Sequence, residues 1–297
     1  MTSSDLSKRL FPSAGEDADA SACRIETEQT KSSSYKLAFI DQEFLVRDEL
    51  RPVRLQLELL KPELILNELG IHSTVVVFGS ARIPEPEVAR EQLQIAERDL
   101  KQSPEDDSLI QAFVIAKNRL KNSKYYEETR RFARLAAREF EVDGICELVV
   151  ATGGGPGIME AANRGASDAG QKSIGLNIVL PFEQCPNTFI TPELSFQFHY
   201  FAIRKMHFLM RAKALIACPG GFGTMDELFE TLTLVQTEKI KAMPILLMGR
   251  EYWQRVINFE ALLEEGMISE KDLSIFRFVE TAEQAIAEIK GFYSGSI

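Results

Sequence analysis

Hydrophobic residues recur along this chain with two alternating periods. Through residues 35–70 the run FLVRDELRPVRLQLELLKPELILNELG has helical spacing, and Pro52 and Pro62 are expected to end or kink it. The β-branched run at 75–78 then stops at Gly79-Ser80, as a buried parallel strand does. Residues 86–140 return to helical spacing, broken at SPEDDS (103–108) and closing in the apolar comb of YYEETRRFARLAAREF. This predicts a helical hairpin that feeds a core helix.

Farther on, short apolar runs and helical stretches alternate. LVVAT (148–152) leads into a glycine cluster, a helix over IMEAANRGASDAG and a strand over SIGLNIVLP, a complete βαβ unit. FQFHYFAIRKMHFLMRAKA reads as one helix, followed by strand 214–218, a second glycine cluster and helix MDELFETLTLVQTEKI. Strands at 243–249 and 276–280 and the capped helix TAEQAIAEIKGFY close the chain. The fold class is α/β: a Rossmann-like, doubly wound, mostly parallel sheet with an N-terminal helical arm and a helical insertion. The expected division is a disordered tail over 1–34, an arm over 35–70 and one Rossmann-like domain over 71–297, with its insertion at about 86–124. No period of 20–50 residues suggests a solenoid.

Composition narrows the function. Across 297 residues, 45% are hydrophobic, 26% are charged and no apolar run reaches the roughly 20 residues of a membrane span. A net charge of −10 disfavours nucleic-acid and anionic-membrane partners. Eight serines and scattered acids in the first 34 residues, without an apolar core, give a loose tail and no targeting peptide, hence an expected cytoplasmic setting. Four cysteines and three histidines lack ligand spacing, so no metal site or disulfide framework is indicated, and no cofactor is expected.

The chemistry concentrates at three strand ends: FGSAR (78–82), TGGGPG (152–157) and CPGGFGT (218–224). Carboxyl ends of parallel strands share one edge, so these loops can converge on a crevice where strand order switches. Glycine permits a sharp turn and close approach of a ligand oxygen to backbone N–H groups, and a following helix adds its positive end. A phosphate is the natural guest, which makes Gly154, Gly155, Gly157, Gly220, Gly221 and Gly223 candidates. Tight packing alone is the competing explanation for either turn. GGGPGIME lacks the third glycine of a dinucleotide fingerprint, and no GK[ST] follows either cluster. A mononucleotide or sugar phosphate remains.

Thr224-Met225-Asp226-Glu227 fits a capping box, with Thr224 capping the helix and Glu227 reaching back. The other reading places the Glu227 carboxylate beside a bound sugar, where it would stabilise positive charge at an anomeric carbon or orient water, and the helix dipole would keep it ionised. Lys205 falls on the apolar side of its own helix with Arg204 at the border. It either snorkels to solvent or meets an anion in the crevice.

Taken together, IRK (203–205), PGGFGTMDE (219–227) and GGGPGIMEAANRGA (153–166) resemble the LOG family, long labelled "possible lysine decarboxylase". The PGGxGTxxE motif is met at each fixed position, by Pro219, Gly220, Gly221, Gly223, Thr224 and Glu227, and the similarity runs from about 73 to 259. The resemblance implies a phosphoribohydrolase that cleaves the N-glycosidic bond of an adenine-type nucleoside 5′-monophosphate, AMP or a cytokinin riboside monophosphate, releasing base and ribose 5-phosphate. It implies Arg204 and Glu227 as the catalytic pair. The loop of Gly220, Gly221, Phe222, Gly223 and Thr224 would hold the 5′-phosphate. Further substrate contacts carry over to Lys205, Asp226, Glu183 and Thr233, with Gly79, Ser80 and Arg82 facing the same nucleotide. A homodimer or higher homo-oligomer is implied as well. The arm and the insertion depart from shorter members, and they would either extend a subunit contact or cover the pocket.

Two rivals remain at this point. A decarboxylase would need pyridoxal phosphate on a lysine, for which only Lys205 is placed. A Rossmann-like carrier or sensor would share the glycine turns but have no use for Arg204 and Glu227 together.

Overall fold

The computed structural model describes residues 11–22, 25–142, 145–181 and 185–295. The chain divides into two compact units, Met1–Glu58 and Leu59–Ile297. The first carries short helices α1 (Ala14–Ala22), α2 (Glu28–Lys31) and α3 (Gln42–Leu45) and the start of α4 (Arg51–Glu68). Thr27 caps α2 and Asp41 caps α3 through side-chain oxygens, the devices short helices need for their unpaired N–H groups. α4 runs through Pro62 instead of ending there. Pro62 and Leu66, one turn apart, are its two buried residues, so burial offsets the hydrogen bond that proline cannot make.

The second unit is built on a seven-stranded sheet of order β6-β5-β4-β1-β7-β8-β9. Its strands are β1 (Thr74–Phe78), β4 (Val149–Thr152), β5 (Ser173–Ile178), β6 (Ser195–Phe198), β7 (Ala212–Ala217), β8 (Ile245–Met248) and β9 (Phe276–Val279). Every neighbouring pair is parallel. A separate two-stranded antiparallel pair joins β2 (Glu141–Val142) to β3 (Ile145–Cys146). The helices are α5 (Pro86–Gln102), α6 (Asp107–Asn122), α7 (Lys124–Glu139), α8 (Ile158–Asp168), α9 (Phe201–Met210), α10 (Phe222–Gln236), α11 (Arg250–Val256), α12 (Phe259–Glu264) and α13 (Ala282–Ser294).

Period-2 alternation splits β1 between two cores. Val75 and Val77 join a cluster with α7, α8 and α13, whereas Val76 and Phe78 join another containing Leu66, Phe208, Leu228 and Trp253. All three valines are fully buried, each contributing about 1.5–3 kcal/mol of apolar transfer. Such two-sided burial is what a parallel sheet covered by helices requires. From β1 the chain winds outward through β4, β5 and β6, then returns to β7 and winds the other way. The switch in strand order therefore falls between β1 and β7, and ligands of doubly wound sheets bind outside the carboxyl ends there.

One expected helix is two elements. SFQF forms β6, with Phe196 and Phe198 buried and Ser195 and Gln197 exposed, and α9 begins only at Phe201. The apolar density of FQFHYF suggested a helix, but its alternation has a period of two and pairs it with β5.

Candidate functional site

Hydrogen bonds between loops draw the three glycine-bearing strand ends together. Ser80 N donates to Pro219 O (3.0 Å), Cys218 N to Phe78 O (2.8 Å) and Ile158 N to Ser80 O (3.1 Å). Above them opens a cavity of about 810 Å³ at the switch point. Of the residues expected at a site, Gly79, Ser80, Arg82, Arg204, Gly220, Gly221, Phe222, Gly223, Thr224, Asp226 and Glu227 line it. Gly154 and Gly155 are not in its wall, and Gly157 lines an adjoining cavity of about 390 Å³. Lys205 lies behind Asp226, Thr233 is exposed with its hydroxyl donating to Phe229 O (2.8 Å), and Glu183 falls outside the described residues.

The two glycine turns are built differently. In the β4–α8 turn, Gly154 (φ 76°) and Gly157 (φ 69°) adopt the left-handed region. A Cβ on Gly154 would sit 2.1 Å from Asn177 Oδ1, one on Gly157 2.5 Å from Ser80 O, and one on Gly153 2.7 Å from the Arg204 guanidinium. Some polar groups of this turn are bound within the protein: Gly154 N–H donates to Thr152 Oγ1, and the Asn187 carboxamide donates to Gly154 O and Gly155 O. In the β7–α10 turn, a Cβ on Gly221 or Gly223 would meet nothing within 4 Å.

That second turn corrects the capping box. Gly221 is the N-cap of α10 and no side chain caps the helix. Thr224 instead sits at the third helical position, buried, its side chain 2.1 Å from where a Gly220 Cβ would lie. The first N–H groups of a helix lack intrahelical acceptors, and Phe222 and Gly223, both in the cavity wall, have no side-chain cap competing for theirs. Tyr252 braces the turn by donating its hydroxyl to Gly220 O (2.5 Å).

Glu227 consequently lies in the second turn of α10, buried (8% exposed) and free of any capping duty. It follows Gly223 by four residues, on the same helical face, and its side chain leans toward the helix start. Burial raises its pKa to about 7, against the pull of Lys205 and Arg204. The expected ionisation by the dipole is thus outweighed by desolvation, because the dipole acts mainly within the first turn.

Arg204 enters from α9. Its Nε donates to Leu176 O (2.7 Å) within β5, and the guanidinium lies 5.1 Å from the Phe208 ring. Burial lowers its pKa while the Glu227 charge opposes the shift. Lys205 answers the question its sequence position raised: Nζ is 2.9 Å from both Asp226 Oδ2 and Glu230 Oε2. Burial pulls its pKa down, but the two hydrogen-bonded carboxylates outweigh this and the net shift is upward. Cys218, just ahead of the turn, is buried with its thiol pushed up to about 12, so it is no nucleophile.

Gly153 and Met159 of the quoted 153–166 stretch also line it, and residues beyond those read from sequence complete the wall: Tyr252, with Ile115, Asn118, Arg119 and Asn122 from α6 among them. No local signal marked them, since a helix face bordering a cavity looks in sequence like one bordering solvent. Among the described residues, no group of three or more His, Cys, Asp and Glu could hold a metal ion, and no helix is long and apolar enough to cross a membrane.

A seven-stranded parallel sheet flanked by helices, its strand order switching between β1 and β7, defines a Rossmann-like α/β protein. Within it, residues 159–289 match the family model described as "Possible lysine decarboxylase". A "Probable cytokinin riboside 5′-monophosphate phosphoribohydrolase", LOGL3 of Oryza sativa subsp. japonica, is 29% identical over 168 residues, covering 52% of this chain and 73% of the rice protein. The cytokinin riboside 5′-monophosphate phosphoribohydrolase LOG3 of Arabidopsis thaliana is 28% identical over 144 residues, covering 47% of this chain and 65% of the plant protein. These findings bear out the resemblance to the LOG family. The structure of a Moco carrier protein from Chlamydomonas reinhardtii superposes with a TM-score of 0.42 and 16% identity over 75% of this chain and 98% of that one.

Proposed function

We propose that the crevice hydrolyses the N-glycosidic bond of a purine nucleoside 5′-monophosphate such as AMP, releasing the base and ribose 5-phosphate. The observation that carries this reading is half-buried Arg204 and buried Glu227 together in the wall of a cavity that also includes the uncapped start of α10. The substrate phosphate accepts from the N–H groups of Phe222 and Gly223, with the helix dipole behind them. Glu227 stands five residues past the first helical position, about 7.5 Å along the axis, comparable with the reach of a ribose 5-phosphate. Gly223, with open space at its missing Cβ, leaves the helix face between phosphate and carboxylate clear.

Cleavage passes through an oxocarbenium-like state, so a carboxylate near C1′ stabilises the developing charge or aims the attacking water. Arg204, anchored by Leu176 O, holds the ribose hydroxyls and steadies the ionised form of Glu227. Lys205 is unsuited to a Schiff base, which requires a lysine that loses its proton readily; two carboxylates hold its proton in place.

Incubating the protein with nucleoside monophosphates and separating the products by chromatography tests the reading. Free base and ribose 5-phosphate in equal amounts support it. Nucleotide that binds and is recovered intact points to a carrier or sensor instead.

A further inference from the structure

One face of α6 forms part of the cavity wall. Ile115, Asn118, Arg119 and Asn122 follow an i, i+3, i+4, i+7 spacing, a single stripe of the helix. The whole of α6 precedes the residues that match the family model. The stripe also offers chemistry that the rest of the wall lacks. The α10 start supplies backbone donors, and Arg204 and Glu227 supply charge, whereas Asn118 and Asn122 each present carboxamide donors and an acceptor side by side. Among the described residues, neither carboxamide has a hydrogen-bond partner. Arg119 is drawn aside to Gln92 Oε1 on α5 (3.4 Å) and lines both cavities.

We infer that this stripe holds the base, and that Asn118 and Asn122 are specificity-determining residues favouring 6-amino purines over 6-keto purines. The inference rests on the phosphoribohydrolase reading above. With phosphate at the start of α10 and the scissile bond at Glu227, the base takes the remaining wall, and α6 is the element there with side chains able to read its edge. A carboxamide donates to N7 and accepts from the 6-amino group of adenine, and a 6-keto purine instead sets its O6 against the carboxamide oxygen. Ile115 gives the ring an apolar surface beside these polar atoms.

The test measures kcat/KM for AMP, IMP and GMP, and inhibition by ribose 5-phosphate, which has no base. The proteins compared are wild type, Asn118→Ala, Asn122→Ala, the double variant, and Lys117→Ala, an exposed α6 position outside the cavity wall. The expected result is a wild-type preference for AMP that falls about 10-fold or more in the double variant, in keeping with the discrimination of one bidentate contact. Ribose 5-phosphate should inhibit all five proteins alike, which a misfolded variant would not allow, and Lys117→Ala should behave as wild type. If wild type cleaves the nucleotides but prefers IMP or GMP, or if the double variant keeps the wild-type ratios, the inference alone is overturned. If wild type releases no base from any monophosphate, the underlying reading fails and takes the inference with it.

Discussion

The β4–α8 and β7–α10 turns carry similar glycine clusters at equivalent places in one sheet, and both lead into helices without a side-chain cap, yet their glycines meet different surroundings. In the first, Gly154 and Gly157 need positive φ and leave no room for a Cβ, and Asn187 and Thr152 bind its polar groups. In the second, no glycine has positive φ, and Gly221 and Gly223 border unfilled space at an uncapped helix start. Glycine thus answers crowding at positions 154 and 157, whereas positions 221 and 223 have room to spare. The distinction lies in what surrounds the backbone, because the residue type is the same.

Substitutions can break or sharpen that contrast. The largest effect is expected at the buried carboxylate one turn beyond the second glycine cluster: Glu227→Gln should lower kcat/KM for AMP by about 10³-fold, about 4 kcal/mol of transition-state stabilisation, with the fold retained. Turnover near that of wild type would remove Glu227 from the chemistry. Next, Gly154→Ala should destabilise the protein by about 2–4 kcal/mol in denaturant melts, through its left-handed φ and its contact with Asn177.

The same exchange in the other turn should have the opposite sign. Gly223→Ala should leave stability unchanged or raise it by up to about 1 kcal/mol, because alanine favours the helix and meets nothing. Its KM for AMP should nonetheless rise by about 10-fold or more, as the new methyl group occupies the phosphate path and costs about 1.4 kcal/mol or more. Equal stability losses at positions 154 and 223 would erase the contrast.

The pH dependence is subtler. Burial pushes the Glu227 carboxyl up from its ordinary 4.5 to about 7 in the folded protein. The folded state therefore holds a proton that the unfolded state has released, and stability falls as pH rises from about 4.5 to 7. Glu227→Gln should abolish this loss and gain about 1–3 kcal/mol at pH 8 relative to wild type. In wild type, kcat/KM should rise with pH to a plateau above about 7, since the ionised carboxylate is the active form. A rate that falls across that range would assign the protonated form instead.

Much of the scaffold was legible because element type is a local property. The β-branched run at 75–78, the break at 103–108 and the glycine clusters each declared themselves within a few residues. SFQF misled because pairing with β5 makes a strand of an apolar run, and of the two outcomes expected at Pro62 the ending of the helix does not occur, since α4 runs on with Pro62 buried. At the site, Arg204, Glu227 and the 220–224 loop were readable as a motif. The role of Thr224 was not, since the same spacing describes a capping box and a buried residue inside a helix that starts two residues earlier.

What the sequence by itself determined is the periodicity, the parallel α/β scaffold, and the placing of glycine, arginine and glutamate at strand and helix ends, all consequences of the chain's own steric and hydrophobic pattern. The tertiary structure alone decided which glycine turn is open, that Lys205 is held by Asp226 and Glu230, that burial moves Glu227 toward neutrality, and that α6 forms a wall of the cavity. Free space, desolvation and a neighbour's charge depend on residues far away along the chain, and they exist only once distant elements have packed together.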